Sequence, residues 1–517
     1  MKQQSIAAIK RYRTRRLASL ATRCYYLHKR GRDEKMATLL CDEFVALGGV
    51  YIKFLQGILL RSKFLRKWQN PDRLKIFENL ESEPLDIVKL LRHELPADKL
   101  AKVTMIQPQP FAAGSFGQVY YGTLDNGQPI IIKVLRPMVR ELLRYDLRLL
   151  STFSKSFFTK LYKNMNLQVD DALKEFREAT LRETDYRHEA KFANEMYVAY
   201  KDNPHLLIPQ TYLELCTDNI IVQDFVPGIS AAQLIKLKEQ GVDPVEYVHD
   251  NLGSDLDTQL RTLGYESMVG IFYLEHIQGD PHPGNIRLMT DNRVGLIDFG
   301  ISAKAPTEKA AFFGMLQSYD KLFKGSQTAV GLFEQGLRFF VSDLYRALKK
   351  LASIYGKGED RDYLSEVSGI AAQAFAEVTG SDIVEADFTQ DSSALSVINR
   401  LVNKGNRFGL IMRLESSDIL RAVQTYTSLV SSLGRYQQVV PVIMDRAVRD
   451  VQKNYSDEII DHDDQIAVSD AIDIIMKWLE RVAERDPALF RQLMAKIKLG
   501  KDKPAIKTVK KEDTAHA

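Results

Sequence analysis

The chain has 517 residues, of which 45% are hydrophobic and 27% charged, and a formal net charge of +4. That length holds two or three domains or one large bilobal one, and the apolar share supplies a real core and excludes global disorder. So small a net charge excludes a molecule-wide field of the kind nucleic acid demands, and no nucleic-acid partner is expected. Cys24, Cys41 and Cys216 are far apart and odd in number. They form neither a metal spacing nor a disulfide framework, which fits a reducing compartment. No uninterrupted apolar run approaches the roughly 20 residues that a membrane-spanning helix needs.

In chain order, residues 1–35 come first as a basic amphipathic segment. Residues 1–32 hold many Lys and Arg and no acid; the first is Asp33. Ile6, Ile9, Leu17, Leu20, Cys24 and Leu27 make a roughly helical stripe through it. Three readings stay open: a helix for a membrane surface or another anionic partner, an organelle transit peptide, and a helix docked on its own domain. They correspond to a location in the cytoplasm, at a membrane periphery or in an organelle matrix. Residues 36–102 read as helices, with a Gly48-Gly49 break. From 103 to 135 short β-branched runs and an Asp-Asn-Gly turn at 125–127 predict a meander of about three strands. Helices return from 139 to 200, and residues 219–228 are one more strand ended by Pro227-Gly228. Residues 231–278 read as helical, 279–300 as a loop and a hairpin turning at 290–293, and 305 to about 495 as helical. The boundaries drawn are a sheet-rich lobe at 103–225, a helical lobe at 226–455 and a C-terminal segment at 456–517. The acidic run 456–465, with His462, is a solvated linker before the last helix. That helix, amphipathic over 473–497, packs on its own lobe by default, with a membrane or a second subunit (a homodimer) as the other options.

The chemistry concentrates in four places. "AAGSFGQVYYG" at 112–122 is a strand–turn–strand of small residues. Such a turn lets backbone N–H groups of Ala112, Ala113, Gly114, Ser115, Phe116 and Gly117 approach a phosphate chain. Val119 lies on the strand after it. Sixteen residues past Gly117, Lys133 ends an apolar strand, where an unpaired lysine is expensive. A lysine gripping nucleotide phosphates and held by an acid meets that need, and Glu183, Asp185 and Glu189 are the candidate partners. Asp280 and Asn285 share a loop, and the hairpin returns Asp298 beside Asn285. The amide oxygen and the carboxylate are hard ligands suited to Mg2+. Asp280, one loop away, can orient or deprotonate an attacking hydroxyl.

This order is protein-kinase-like: small-residue loop, strand lysine, helix glutamate, hinge, D…N loop, Asp-Phe-Gly. The fold class expected is therefore α+β, bilobal and kinase-like, and the cofactors ATP and Mg2+. The backbone from Asp224 to Val226 would be the hinge that bonds adenine. Gln278-Gly279 stands where an ordinary protein kinase has His-Arg, and only four residues separate Gly300 from Ala305-Pro306.

Over roughly 36–450 the sequence resembles the AarF/UbiB family of atypical kinases. The residues that carry the likeness are Lys53-Phe54-Leu55-Gln56, Ala112-Ala113, Glu183-Thr184-Asp185 and the D-P-H-P-G-N loop at 280–285. The resemblance implies that Lys53 and Gln56 sit on a helix folded over the site, with Glu183 and Asp185 near the phosphates and metal, and that Glu189 pairs with Lys133. It also implies an ATP-dependent kinase or ATPase of quinone or isoprenoid-lipid metabolism at a membrane. Leu55 replaces a family glycine and would obstruct close helix packing; Gly114 replaces a usual alanine. Two other readings compete: a small-molecule phosphotransferase of the aminoglycoside or choline type, and a nucleotide-switched pseudokinase scaffold.

Overall fold

The structure is a computed structural model, and it describes residues 6–55, 85–114, 116–161, 173–326 except 175 and 179, 335–355 except 337, 414–459, and 466–491 except 486 and 489. Gln56 and Ser115 lie outside the described residues, as do 460–465 of the acidic run. The chain divides into two compact units, Met1–Ser230 with Gly284–Ser302, and Ala231–Pro283 with Ala303–Ala517.

The first unit opens with helices α1 (Ile6–Lys29), α2 (Asp33–Leu47) and α3 (Val50–Phe54). The apolar stripe of α1 is covered: Leu17, Leu20 and Cys24 are buried in one core with Phe44, Tyr51 and Phe54. Of the three readings of the basic segment, docking describes residues 6–29. Long-range ion pairs fix it there. Arg13 meets the buried Asp146, which also accepts from Tyr51 Oη at 3.0 Å, and Arg16 meets Glu43 at 2.6 Å. Burial opposes the Arg13 charge and lowers its pKa. Burial also pushes the Cys24 thiol up to about 12, which leaves it an inert apolar group. Leu55 is fully buried in this core.

Helices α4 (Ile87–Glu94) and α5 (Ala97–Leu100) lead into the sheet. Its strands are β1 (Val103–Ile106), β2 (Ala112–Ala113), β3 (Gly117–Leu124), β4 (Pro129–Leu135) and, after helices α6 (Val139–Leu161) and α7 (Tyr186–Tyr200) and a short strand β5 (Leu206–Leu207), β6 (Ile220–Asp224). The order is β1-β3-β4-β6, antiparallel, with β2 folded back on β3. Period-two alternation divides the faces. Tyr120, Ile130, Ile132, Val134, Ile220 and Val222 pack with Ile87 and Leu91 of α4. The opposite face carries Val119, Ile131, Lys133 and Ile221 in register.

Strand β7 (Ile229–Ser230) starts the second sheet. The second unit then begins with α8 (Ala231–Glu239), α9 (Pro244–Leu252), α10 (Leu256–Tyr273) and β8 (His276–Gln278). The hairpin β9 (Ile286–Leu288) and β10 (Val294–Leu296) belongs to the first unit, where the sheet order is β5-β10-β9-β7. Asp291 and Asn292 at its tip both have positive φ, the geometry of a tight hairpin turn. Strand β11 (Ser302–Lys304) pairs with β8, so the span read as helical to 278 ends in a strand. Strands of two or three residues are too short to show a period, and β5, β7 and β8 escape sequence reading for that reason.

The second unit continues with α11 (Lys309–Phe323), α12 (Ser342–Tyr355), α13 (Leu414–Ser432), α14 (Tyr436–Asn454) and α15 (Val468–Arg485). Gly264 of α10 lets Tyr426 and Ile443 approach, and Tyr426 Oη donates to the Leu260 carbonyl at 2.7 Å. Among the described residues no helix is long and apolar enough to cross a membrane.

Candidate nucleotide site

The site is built on the Lys133 face of the first sheet. Lys133 Nζ donates to Glu189 Oε1 at 2.7 Å and to the Ile297 carbonyl at 3.0 Å, and lies 3.9 Å from Asp298 Oδ2. Of the three candidate acids, Glu189 is the partner. The pair is buried, with side-chain exposures of 10% and 7%, while Asp298 is 45% exposed. Burial works against the Lys133 charge, but Glu189 and Asp298 outweigh it and hold the ammonium above its ordinary value. Burial, reinforced by Asp298 beside it, drives Glu189 upward against the pull of Lys133. Two carboxylates thus lie beside one cation, the second of them on the exposed side.

Local structure places these groups. Glu189 sits in the first turn of α7, whose N-cap Asp185 accepts the His188 N–H at 3.1 Å. Phe192 of α7 meets Phe299 edge to face at 5.9 Å and holds the Asp-Phe-Gly segment against the helix. The Gly300 N–H donates to Asp298 Oδ1 at 3.0 Å and orients that carboxylate. Asn285 directly precedes β9, and its carbonyl accepts the Ile297 N–H at 3.0 Å. The hairpin therefore sets Asn285 and Asp298 side by side in backbone terms. Asp280 lies in the second unit on the loop after β8; its N–H donates to Gln278 Oε1 at 3.2 Å and its carbonyl accepts from the His282 N–H at 2.7 Å.

The small-residue loop is a tight turn. Ala112 and Ala113 pair with Val119 and Gln118, and the Gly114 N–H donates to the Gly117 carbonyl at 2.9 Å. Ala112, Ala113 and Gly114 are exposed, whereas Phe116 is buried. Arg136 holds the tip through the Gly114 carbonyl at 2.9 Å. A Cβ on Gly117 would lie 2.7 Å from both the Val134 carbonyl and the Tyr186 hydroxyl. Gly117→Ala should therefore cost about 1–3 kcal/mol and displace the loop, read as a lower melting temperature with weaker nucleotide binding. An unchanged melt would contradict this packing.

In the segment expected to be the hinge, the Asp224 carboxylate accepts from Tyr212 Oη at 2.8 Å and from Gln128 Nε2 at 3.1 Å. The Phe225 N–H donates to the Pro129 carbonyl at 3.0 Å. Val226 is buried against β10, where a Cβ on Gly295 would come 2.7 Å from Val226 Cγ1.

On α3, Lys53 forms an ion pair with Glu183 and lies 5.3 Å from the Phe116 ring centroid. Thr184, next along, is tied by its carbonyl to Arg140 Nη2 at 3.1 Å. Lys53 and Glu183 are about a quarter exposed, so their attraction is worth at most about 1 kcal/mol. Sequence reasoning missed Tyr186, Gly295, Arg136 and the Ile297 carbonyl. Only Gly295 carried a signal, as a glycine inside a strand.

A lysine, a buried helix glutamate, a small-residue loop and an Asp-Phe-Gly carboxylate, set on and beside one antiparallel and one mixed sheet, define a kinase-like domain. Residues 79–320 match the ABC1 atypical kinase-like domain, a match that supports the likeness to the ABC1 family, also called AarF/UbiB. Activity of BC1 Complex Kinase 1, a chloroplastic protein of Arabidopsis thaliana, is 31% identical over 284 residues, 52% of this chain and 39% of that protein. An uncharacterised Synechocystis protein is 24% identical over 379 residues, 71% of this chain and 50% of that one. The chain thus spans half or less of the length of these curated relatives. A solved Mycobacterium tuberculosis protein in complex with erythromycin is 16% identical, over 80% of this chain and 95% of that one, with a TM-score of 0.44.

Proposed function

We propose that the chain binds ATP with Mg2+ and acts as an atypical kinase or ATPase. The observation that carries this reading is the buried Lys133–Glu189 pair with the exposed Asp298 carboxylate at its edge. Lys133 grips the phosphates, and Glu189 fixes its position. Ala112, Ala113, Gly114, Ser115, Phe116 and Gly117 cover the phosphate chain, and Val119 and the Asp224–Val226 backbone hold the base. Asp298 and Asn285 suit Mg2+, because that ion needs only one or two protein oxygens and takes the rest from phosphates and water. The exposed Asp298 carboxylate at the edge of the buried pair offers a hard oxygen to a divalent cation, and the bound ion would neutralise charge on the transferring phosphate. Asp280 orients the attacking oxygen, whether of an acceptor or of water.

Lys53, Gln56, Glu183 and Asp185 form the lid, with the Lys53–Glu183 pair as a weak latch that nucleotide can displace. The short stretch between Gly300 and Ala305 favours an acceptor other than a peptide, and the family likeness favours an isoprenoid or quinone-like lipid at a membrane. With the apolar stripe of α1 buried, such a surface would be met by its outward side, where Arg11, Arg15, Tyr12, Tyr25 and Tyr26 are exposed. Because a latch of that weakness could open and close with nucleotide, a nucleotide-switched scaffold is the second reading. ATP hydrolysis by the purified full chain, with and without anionic liposomes and quinone-like phenols, separates them. Asp298→Asn should reduce turnover by on the order of 10²-fold. Turnover indifferent to that change rejects the enzymatic reading, and phosphate found on a soluble alcohol instead supports a small-molecule phosphotransferase.

A further inference from the structure

Arg287 lies between two fully buried residues of β9, Ile286 and Leu288, so alternation puts it on the opposite face of the strand. Its Cα partners are Gly295 of β10 and Ser230 of β7. From Gly295, a Cβ would find Val226 Cγ1 at 2.7 Å, Arg287 Cβ at 3.5 Å and Met289 Sδ at 3.5 Å. Arg287, Met289 and the last residue of the expected hinge therefore share one side of the sheet, with Arg287 two residues along the chain from Asn285. The Nε of Arg287 is buried without a hydrogen-bond partner. Among the described residues no carboxylate pairs with its guanidinium, and burial alone lowers its pKa. A half-buried guanidinium without an anion is a cost that packing does not repay.

We infer that Arg287 is a specificity-determining residue of the nucleotide site: its planar guanidinium forms the floor under the purine base and stacks against its face. A delocalised, weakly hydrated cation is the side chain best suited to this, since it gains from the electron-rich ring what it loses in hydration. The base of ATP is thereby held from the β9–β10 side while the hinge backbone bonds its edge. The inference rests on the nucleotide reading above.

The test compares the full chain with Arg287→Leu and Arg287→Lys, measuring Kd for MgATP and for magnesium tripolyphosphate, which has the phosphates without a base. Stacking predicts that Arg287→Leu binds MgATP about tenfold more weakly and holds tripolyphosphate as before. Arg287→Lys, with the charge but no plane, should recover only part of the loss. Since the leucine removes an uncompensated buried cation, the ligand-free melting temperature should hold or rise. MgATP affinity within twofold of the wild type overturns the inference and leaves the nucleotide reading standing. Equal weakening of both ligands also overturns it, because the arginine then acts as a point charge on phosphate. A wild type that binds neither ligand removes the nucleotide reading, and the inference falls with it.

Discussion

Lys133→Met is expected to lower MgATP turnover by on the order of 10²–10³-fold and to make the stability of the fold fall more steeply with rising pH than in the wild type. In the wild type, Lys133 is held above its ordinary pKa, so its contribution is complete below the usual lysine range and is lost only in strong alkali. In the variant, Glu189 keeps the burial and the neighbouring Asp298, both of which raise its pKa, and loses the cation that lowered it. The folded state then holds a proton that the unfolded chain releases above about pH 4.3. Stability must fall as pH rises from there, reaching a deficit of about 3–5 kcal/mol once the buried carboxylate has to ionise unpaired. Thermal melts at pH 5 and pH 8 read this directly. Adding Glu189→Leu should restore much of the stability at pH 8 and none of the turnover. Parallel melts for wild type and Lys133→Met at both pH values would refute the pairing.

The second large effect concerns the backbone of the hinge. Gly228 has φ +105, and a Cβ there would lie 2.2 Å from the Leu288 carbonyl oxygen. The two nearest atoms, the Leu288 carbonyl oxygen and carbon at 2.2 and 3.0 Å, are backbone and cannot swing aside as a side-chain end would. Gly228→Ala should cost about 3 kcal/mol or more from strain and overlap together. It should also weaken nucleotide binding, since the same shift separates β7 from β9 and moves Val226 off Gly295. Denaturant unfolding with ADP titration on the folded fraction measures both. A variant as stable as the wild type means that the close approach of Gly228 to β9 is not held in solution.

The parts of the site visible in the sequence are those whose geometry is local. Asn285 and Asp298 end up adjacent because one short hairpin joins them, with its turn marked by Asp291-Asn292. Lys133 is visible because a lysine inside an isoleucine run demands a partner. What escaped depends on register between distant segments. Nothing in the sequence says that Asp146 is the partner of Arg13, 133 positions away, or that Lys53 lies against Glu183. Arg287 reads as an ordinary polar residue of a hairpin until the pairings with Ser230 and Gly295 fix its face. The amphipathic pattern of α1 is legible, but not the core that covers it, since the same stripe serves a bilayer, a receptor or a neighbouring helix.

The central claim is that Lys133, Glu189 and Asp298 make one magnesium-nucleotide site. Isothermal titration of the full chain with ATP, in the presence and absence of Mg2+, tests it most directly. One site is expected, with affinity that rises on adding Mg2+ in the wild type and no longer responds to it in Asp298→Asn. No heat with MgATP, or a response to Mg2+ that Asp298→Asn leaves intact, would contradict the claim.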